Sequence, residues 1–252
     1  MRNIYFTFFL IVLCFPDYGQ TINSNKTTHW NAGDELGVSI GYGSYLMSDL
    51  KDVQKLILNA NDMPLEITTS FPGYFNYSIR YGRRLKNHYE GFTAGFMSTG
   101  ARSSLADYSG YILSDINCQA IYVGYYIQKD FYNTLFLNRH LEFGYNLNLS
   151  FIGSNVNMID KLNLYDNSSE NNDFIQTNKY SFNTIGIYSE PLLYARYMIE
   201  EKIGVEINAG GAFSLSSPLY YRQLQNSITI NNRSRYVNWT GLRVSIGLVY
   251  RL

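Results

Sequence analysis

The sequence is poor in charged residues and has no long apolar run after its N-terminal segment. Asp, Glu, Lys and Arg make up 16% of the 252 residues, against about a quarter in an average soluble domain. Acidic and basic residues balance at 20 each, so the chain lacks the basic surface typical of nucleic-acid binding. Beyond the first 20 residues, no segment approaches the roughly 20 apolar residues of a transmembrane helix. The composition therefore argues against a nucleic-acid partner and against a helical membrane protein.

Cysteine is nearly absent. Cys14 lies inside the apolar N-terminal segment, which leaves Cys118 as the single cysteine of the predicted mature chain. One cysteine cannot form an internal disulfide, and we expect Cys118 to be a packing residue on a strand rather than a nucleophile. The sequence shows no metal-ligand cluster and no cofactor-binding motif, so we expect neither a metal nor a cofactor.

The N-terminal segment has the order of a secretory signal peptide. Arg2 supplies a positive charge, an apolar run follows from Ile4 to Phe15, and Gly19 precedes the predicted cleavage site. The apolar run is too short to span a bilayer comfortably, so cleavage is favoured over a retained anchor. We predict three segments: a cleaved signal peptide at 1–19, a periplasmic tail at 20–33 and an outer-membrane β-barrel at 34–252.

Tyrosine, glycine and a strict alternation of apolar with polar residues dominate the remaining chain. The chain has 24 tyrosines and 20 glycines. Alternation with a period of two indicates a strand with two different faces. The clearest case runs from Leu141 to Phe151, where apolar residues alternate with Glu142, Gly144 and other small or polar residues. Eight such strands are predicted, at 34–43, 74–83, 89–99, 116–129, 141–151, 179–198, 203–210 and 242–252.

The connections between these strands alternate in length. Two are short (84–88 and 199–202), one is moderate (130–139), and four are long (44–73, 100–115, 153–178 and 214–238). Outer-membrane barrels have short periplasmic turns and longer external loops. A soluble β-sandwich, the competing fold, has no reason to sort its connections in this way. We therefore predict an all-β fold, an antiparallel up-and-down transmembrane β-barrel of eight strands with its N-terminus in the periplasm.

The predicted signal peptide ending at Gly19-Gln20, the eight strands and the C-terminal sequence from Ser245 to Leu252 resemble the outer-membrane β-barrel domain proteins common in Bacteroidota. The resemblance covers essentially the whole predicted mature chain. It implies an exported integral protein of the outer membrane, in contact with outer-membrane lipid. It also implies that the outer-membrane assembly machinery recognises the last strand during insertion. Leu252 departs from the commoner terminal Phe of such strands.

Charged residues at inward positions predict a polar network inside the barrel. An eight-stranded barrel has a lumen just wide enough for side chains to fill, and an unpaired charge there would be costly. We therefore favour a structural network of salt bridges over the alternative, an ion pathway or gate. The predicted network consists of Glu35, Arg80, Glu142, Glu206, Arg243 and Arg251.

The first long connection contains a predicted short helix at 49–59, with Asp49 as its cap. Its apolar stripe is a candidate interaction surface, either as a lid over the barrel mouth or as a surface for a protein partner or lipid headgroups. The alternative is packing against neighbouring loops, which we favour. The stripe consists of Leu50, Val53, Leu56 and Ile57.

The positions of the histidines argue against an enzyme. Enzymes on small outer-membrane barrels that modify lipid A or phospholipid use a His beside a Ser and an acid. Here His29 lies in the predicted tail, whereas His88 and His140 lie at predicted periplasmic turns, so no catalytic residue is predicted. We predict a non-enzymatic barrel with surface-exposed loops and a structural or binding role, with a protein partner through those loops. The alternatives are an accessory subunit of a secretion or uptake complex, a lipid-modifying enzyme and a narrow pore.

Overall fold

Twelve strands and one helix make up the described part of the chain. The computed structural model describes residues 33–60, 66–85, 88–108, 110–136, 139–164, 174–221, 229–230 and 233–252. The predicted signal peptide, nearly all of the predicted tail and the side chain of Ile57 lie outside this description. In chain order the elements are β1 (Asp34–Gly43), α1 (Ser48–Ala60), β2 (Glu66–Ser70), β3 (Tyr74–Leu85), β4 (His88–Asp107), β5 (Gly110–Phe136), β6 (Arg139–Leu164), β7 (Phe174–Met198), β8 (Ile203–Ser216), β9 (Tyr220–Tyr221), β10 (Thr229–Ile230), β11 (Arg233–Ser234) and β12 (Gly241–Arg251).

Eight of these strands form a closed antiparallel ring. Each pairs with its neighbours in the order β1, β3, β4, β5, β6, β7, β8 and β12, and β12 pairs with β1. The predicted eight-stranded up-and-down barrel is therefore confirmed. Within the closed ring each strand has a hydrogen-bonded neighbour on both sides, so the ring itself has no open edge.

The strands are tilted against the barrel axis. Following paired residues from Arg251 once around the ring leads back to β12 at Gly241, ten residues along the same strand. Pro191 interrupts the pairing of β7 with β8, but the register is the same on both sides of it. A staggered ring of eight strands encloses a narrow lumen that side chains can fill.

The two faces of the wall follow the alternation of the sequence. On β1, Val38 and Ile40 point outward and are 54% and 44% exposed, whereas Glu35 points inward and is fully buried. Equivalent outward residues surround the barrel in what we call the apolar belt. It includes Leu36, Tyr42, Tyr77, Ile79, Phe92, Ile121, Val123, Phe151, Ile185, Leu193, Ile207, Val244 and Leu248.

The two ends of the barrel differ in their connections. At the short-turn end, strands are joined through residues 86–87, 137–138 and 199–202. The opposite end, the extended end, carries α1 and the minor strands β2, β9, β10 and β11. In the last loop, Thr229 and Ile230 pair with Ser234 and Arg233.

Two of the predicted long loops are wrong. Residues 100–115 and 153–178 instead continue β4, β5, β6 and β7 beyond the rest of the wall, with only 108–109 and 165–173 left as connections. The predicted moderate connection at 130–139 is also mostly strand, and it contains a bulge at Phe131. The barrel wall is therefore much taller on the β4–β7 side than on the side formed by β1, β3 and β12.

We call the part of β4–β7 above the row of Phe96, Ile121, Gly153 and Ile185 the extension. The sequence did not reveal it because its alternation of apolar and polar residues is inverted. In the belt part of β5 the outward residues, such as Ile121, are apolar. In the extension the outward Asn117 is polar and exposed, and the inward Cys118 is apolar and fully buried. The inward face of the extension is apolar because the loops at this end pack against it. Strand β6 inverts in the same way, with Phe151 outward in the belt and Val156 inward above it.

The loops fold into the mouth of the extended end and form what we call the loop plug, residues 44–60 and 233–240. Met47, Leu50, Val237 and Trp239 of the plug are buried in one core with the inward face of the extension. The predicted helix at 49–59 is confirmed as α1, but Asp49 lies within its first turn and accepts a hydrogen bond from the Tyr236 amide (3.0 Å). Among the described residues, no helix is long and apolar enough to cross a membrane.

Candidate functional site

The short-turn half of the lumen is filled by an ion cluster centred on Arg196. The guanidinium of Arg196 donates to both oxygens of Glu35 (2.8 and 2.9 Å) and to Glu206 Oε2 (2.6 and 3.0 Å). It also donates to Glu142 Oε2 over 3.4 Å. Arg196, Glu35, Glu142 and Glu206 are all buried. One arginine from β7 thus joins carboxylates from three other strands across the lumen.

Two further arginines complete the Arg196 cluster. Arg80 makes a bidentate pair with Glu206, with both Nη···Oε distances at 2.7 Å, and Arg251 Nη2 lies 2.7 Å from both oxygens of Glu142. With Arg196, Glu35 and these two pairs, the cluster contains three guanidinium groups and three carboxylates. Its formal charges cancel, which is what a low-dielectric interior requires of buried ions. The structure thus brings together five of the six predicted interior residues.

Arg196 was not predicted. The segment 179–198 alternates weakly because Pro191 interrupts it, so its inward face was not assigned. The sequence did contain a signal for Arg196. It lies on the other side of a short turn from Glu206, and the two residues pair directly between β7 and β8. Two opposite charges at paired positions of a hairpin indicate that both side chains lie on one face.

Arg243, the sixth predicted residue, is buried and points inward but lies outside the Arg196 cluster. It is eight residues from Arg251 on β12, roughly 26 Å along the strand. Its guanidinium donates to the carbonyl oxygens of Ser44 and Trp239, at 2.8 Å each, and lies 4.7 Å from the centre of the Tyr45 ring. A single network of all six residues is therefore wrong, because Arg243 instead holds the loop plug to the barrel wall.

Two pairs of aromatic rings close the mouth end of the lumen. Tyr122 and Tyr188 lie with ring centres 4.9 Å apart, and above them Tyr45 meets Trp239 edge-on at 5.0 Å. The Trp239 indole N–H donates to Ser154 Oγ over 2.9 Å. Tyr122 fits because Gly95 faces it, and a Cβ atom at that glycine would collide with the phenol ring. Together with the Arg196 cluster, these rings close the described lumen at two levels.

The apolar stripe of α1 lies in the core of the plug. Leu50 is fully buried, Val53 is nearly so, and Leu56 is half-buried. The buried Gln54 side chain donates to Thr69 O (2.9 Å) and fixes the helix to β2. Leu50 and Val53 therefore pack inside the barrel mouth, in line with the favoured alternative, and a surface for a partner at these two residues is wrong.

We expect Arg243→Met to loosen the loop plug and leave the barrel wall closed. The substitution removes charged hydrogen bonds to two carbonyl oxygens, and such bonds contribute about 1.5–3 kcal/mol each. Amide hydrogen exchange around Trp239 should become at least tenfold faster, whereas exchange in β1 and β3 should not change. Arg102→Met, in an exposed ion pair with Asp115, is the control. Unchanged protection around Trp239 would contradict the anchoring role.

The described histidines lie at the short-turn end, away from the plug. His88 Nε2 is 3.8 Å from Glu90, and His140 Nδ1 is 3.4 Å from the Asn133 side-chain oxygen. His29 lies outside the described residues. Across the ranges that the structure describes, no group of three or more His, Cys, Asp or Glu side chains could hold a metal ion.

Comparisons with known proteins gave structural similarity only. No protein-family model matches the sequence, and no curated protein matches it. A major outer membrane protein from Thermus thermophilus aligns over 87% of this chain and 99% of its own, at 10% identity and a TM-score of 0.47. Ail, the attachment invasion locus protein of Yersinia pestis, aligns over 88% and 99%, at 12% identity and a TM-score of 0.30. The outer membrane protease OmpT from Escherichia coli aligns over 91% and 99%, at 10% identity and a TM-score of 0.28. Values this low transfer neither a function nor an origin to this chain.

Proposed function

We propose that this chain is a non-enzymatic integral β-barrel of the outer membrane whose sealed interior makes it a rigid support for its extended end. The observation that carries the proposal is the combination of an apolar exterior with an interior closed at two levels. The exterior provides the contact with lipid. The closed interior gives the barrel a supporting role and argues against transport.

The apolar belt supports a position in a membrane. Soluble monomers rarely expose contiguous apolar patches larger than a few hundred Å². Here apolar outward residues surround the whole barrel, and Phe151 and Leu242 are 79% and 71% exposed. A closed ring of strands also satisfies the backbone hydrogen bonds that a lipid environment cannot.

The filled lumen supports a role other than conduction. Ions passing through would have to separate Arg196 from three carboxylates and then displace the aromatic rings around Trp239. Wide aqueous channels belong to barrels of about 16 or more strands, whereas eight strands leave room for side chains only. The rigid body would then position the extended end, which rises from β4 to β7, for binding outside the cell, including binding of a protein partner.

Fractionation and gel mobility test the position in the membrane. We expect the full chain to be recovered in the outer membrane of a Gram-negative host. The unboiled protein should migrate faster than the boiled protein, because a closed barrel resists detergent. Recovery as a soluble periplasmic protein without heat-dependent mobility would contradict the proposal, since the apolar belt would then have to be a buried core.

Planar-bilayer recording tests the sealed interior. We expect no stepwise conductance from the purified chain, because the Arg196 cluster and the loop plug close the lumen. A barrel of similar preparation with a known open pore serves as the positive control. Stable, reproducible openings would overturn the sealed interior without affecting the assignment to the membrane.

A further inference from the structure

The outward face of the extension carries polar side chains in register. Strands β5, β6 and β7 pair there without interruption, so outward residues on neighbouring strands form rows across the sheet. The first row above the apolar belt is Gln119, Asn155 and Asn183, the second is Asn117, Asn157 and Ser181, and the third is Asp115, Ile159 and Lys179.

The change from apolar to polar is abrupt. The row directly below the first polar row is Ile121, Gly153 and Ile185, and its two isoleucines are 61% and 73% exposed. Consecutive outward rows are two residues apart, about 7 Å along a strand. The amide rows therefore begin where the apolar belt ends. On the proposed function, that is the level of the headgroups of the outer leaflet.

A groove crosses the second and third rows. Its volume is about 780 Å³, within the range of small-molecule sites. Among its lining residues are one acid, which pairs with Arg102 beside the groove, and one base. The residues that carry the argument are Asp115, Asn117, Asn157, Lys179 and Ser181.

Hydrogen bonds between the amides fix their orientation. Asn155 Nδ2 donates to Asn183 Oδ1 (2.8 Å) and to Ser181 Oγ (3.2 Å), and Asn157 Nδ2 donates to Asn155 Oδ1 (2.5 Å). Each Asn side chain has two donor hydrogens and two acceptor lone pairs. Of the lining residues, the network orients Asn157 and Ser181 and uses only part of their hydrogen-bonding capacity, so donors and acceptors remain for a ligand.

We propose that this groove binds a saccharide. Sugar hydroxyl groups both donate and accept hydrogen bonds, as do the amides of Asn117 and Asn157. A polyanion would need several free cationic groups, but Arg102 beside the groove is paired with Asp115 (2.8 Å), which leaves Lys179 as the one cation among the lining residues.

Two sources can supply this chemistry. One is the sugar portion of an outer-leaflet glycolipid, whose headgroup would lie at the level of the amide rows. The other is a free glycan outside the cell. The first source rests on the proposed function, and the second needs only the exposed groove.

The test compares two probes on the full chain purified in a zwitterionic detergent. The soluble probe is the delipidated core oligosaccharide of a rough-type lipopolysaccharide, measured by titration calorimetry. The lipid probe is the intact lipopolysaccharide, measured by retention on the purified protein. The double variant Asn117→Ala, Asn157→Ala should weaken binding at least tenfold. Asn133→Ala, on the short-turn side of β5, should bind as the original chain does.

The outcomes distinguish a free glycan from a membrane glycolipid, and they distinguish the saccharide site from the proposed function. Binding of the free oligosaccharide supports the groove and a free glycan, and retention of the intact glycolipid alone assigns the membrane lipid as its source. Salt should matter little, with less than a threefold change in affinity between 50 and 500 mM NaCl. Failure of both probes to bind the original chain, equal binding by the double variant, or a steep salt dependence would overturn the proposal. Fractionation and heat-dependent mobility report on the barrel itself and do not change with any of these results.

Discussion

Replacing Arg196 with methionine is expected to destabilise the barrel by about 3–5 kcal/mol. Methionine fills similar space but leaves Glu35, Glu142 and Glu206 close together without their central cation. Removing one partner of a buried ion pair has a cost of this size, because a desolvated charge remains uncompensated. The free energy of unfolding should be measured by urea titration of the chain folded into lipid vesicles.

The matched control for this experiment is Arg102→Met. Arg102 also pairs with a carboxylate, Asp115, at 2.8 Å, but its side chain is 51% exposed. Exposed ion pairs contribute about 0–1 kcal/mol, so this variant should unfold nearly as the original chain does. In the double variant Arg196→Met, Glu35→Gln, the carboxylate that accepts its hydrogen bonds from Arg196 is made neutral, and part of the lost stability should return. Equal losses for Arg196→Met and Arg102→Met would contradict the central role of Arg196.

The second large effect is expected on the outward face of the last strand. Val244 is 55% exposed and lies between Leu242 and Ile246, which are also exposed, in the apolar belt. Arginine on the lipid face near the bilayer midplane costs about 2–4 kcal/mol. Val244→Arg should therefore lower the free energy of unfolding from lipid vesicles by that amount and reduce the yield of folded barrel.

The adjacent residue provides the control for the face assignment. Ser245 is half-buried and points into the lumen, where it faces Gly41 on β1. Ser245→Ala removes one hydroxyl from a polar interior and should destabilise the barrel far less than Val244→Arg does. In detergent micelles, where thinning and rearrangement around a charge are easier, the difference between the two variants should shrink. Equal destabilisation by both would mean that β12 presents different faces from those described.

The alternation of the sequence was sufficient to predict the ring of strands. From Leu141 to Phe151 the period of two is uninterrupted, and the structure places those apolar residues outward, as predicted. On the proposed function, the pattern works in the belt because lipid lies on one side and a polar lumen on the other. A polar residue facing lipid or an apolar residue facing the polar lumen would be costly. Nearly every position therefore carries the residue type that its face requires.

The extension could not be predicted in the same way. Above the belt the outer face meets water and the inner face meets the loop plug, so the two polarities exchange places. Near Cys118 the apolar residues of β5 change from the outward to the inward positions. In the sequence this break in the alternation looks like the end of a strand. Only the contacts of the inner face with Trp239 and α1 explain why β5 continues.

The internal clusters were only partly predictable. Inward charges such as Glu35 and Arg251 could be assigned to one face by counting. Their partners could not, because the ten-residue stagger of the ring decides which inward residues meet across the lumen. Arg243 shares a face and a strand with Arg251, yet the two residues take part in different structures.

On the proposed function, the inverted polarity of the tall strands also determines where the barrel lies along the membrane normal. A barrel with a uniform apolar exterior could slide along the membrane normal at little cost. Here sinking by a single row would bring Gln119, Asn155 and Asn183 into hydrocarbon, and rising by one would expose Ile121 and Ile185 to water. Because both displacements are penalised on the same three strands, the sequence itself sets the height of the protein to within about one row of side chains.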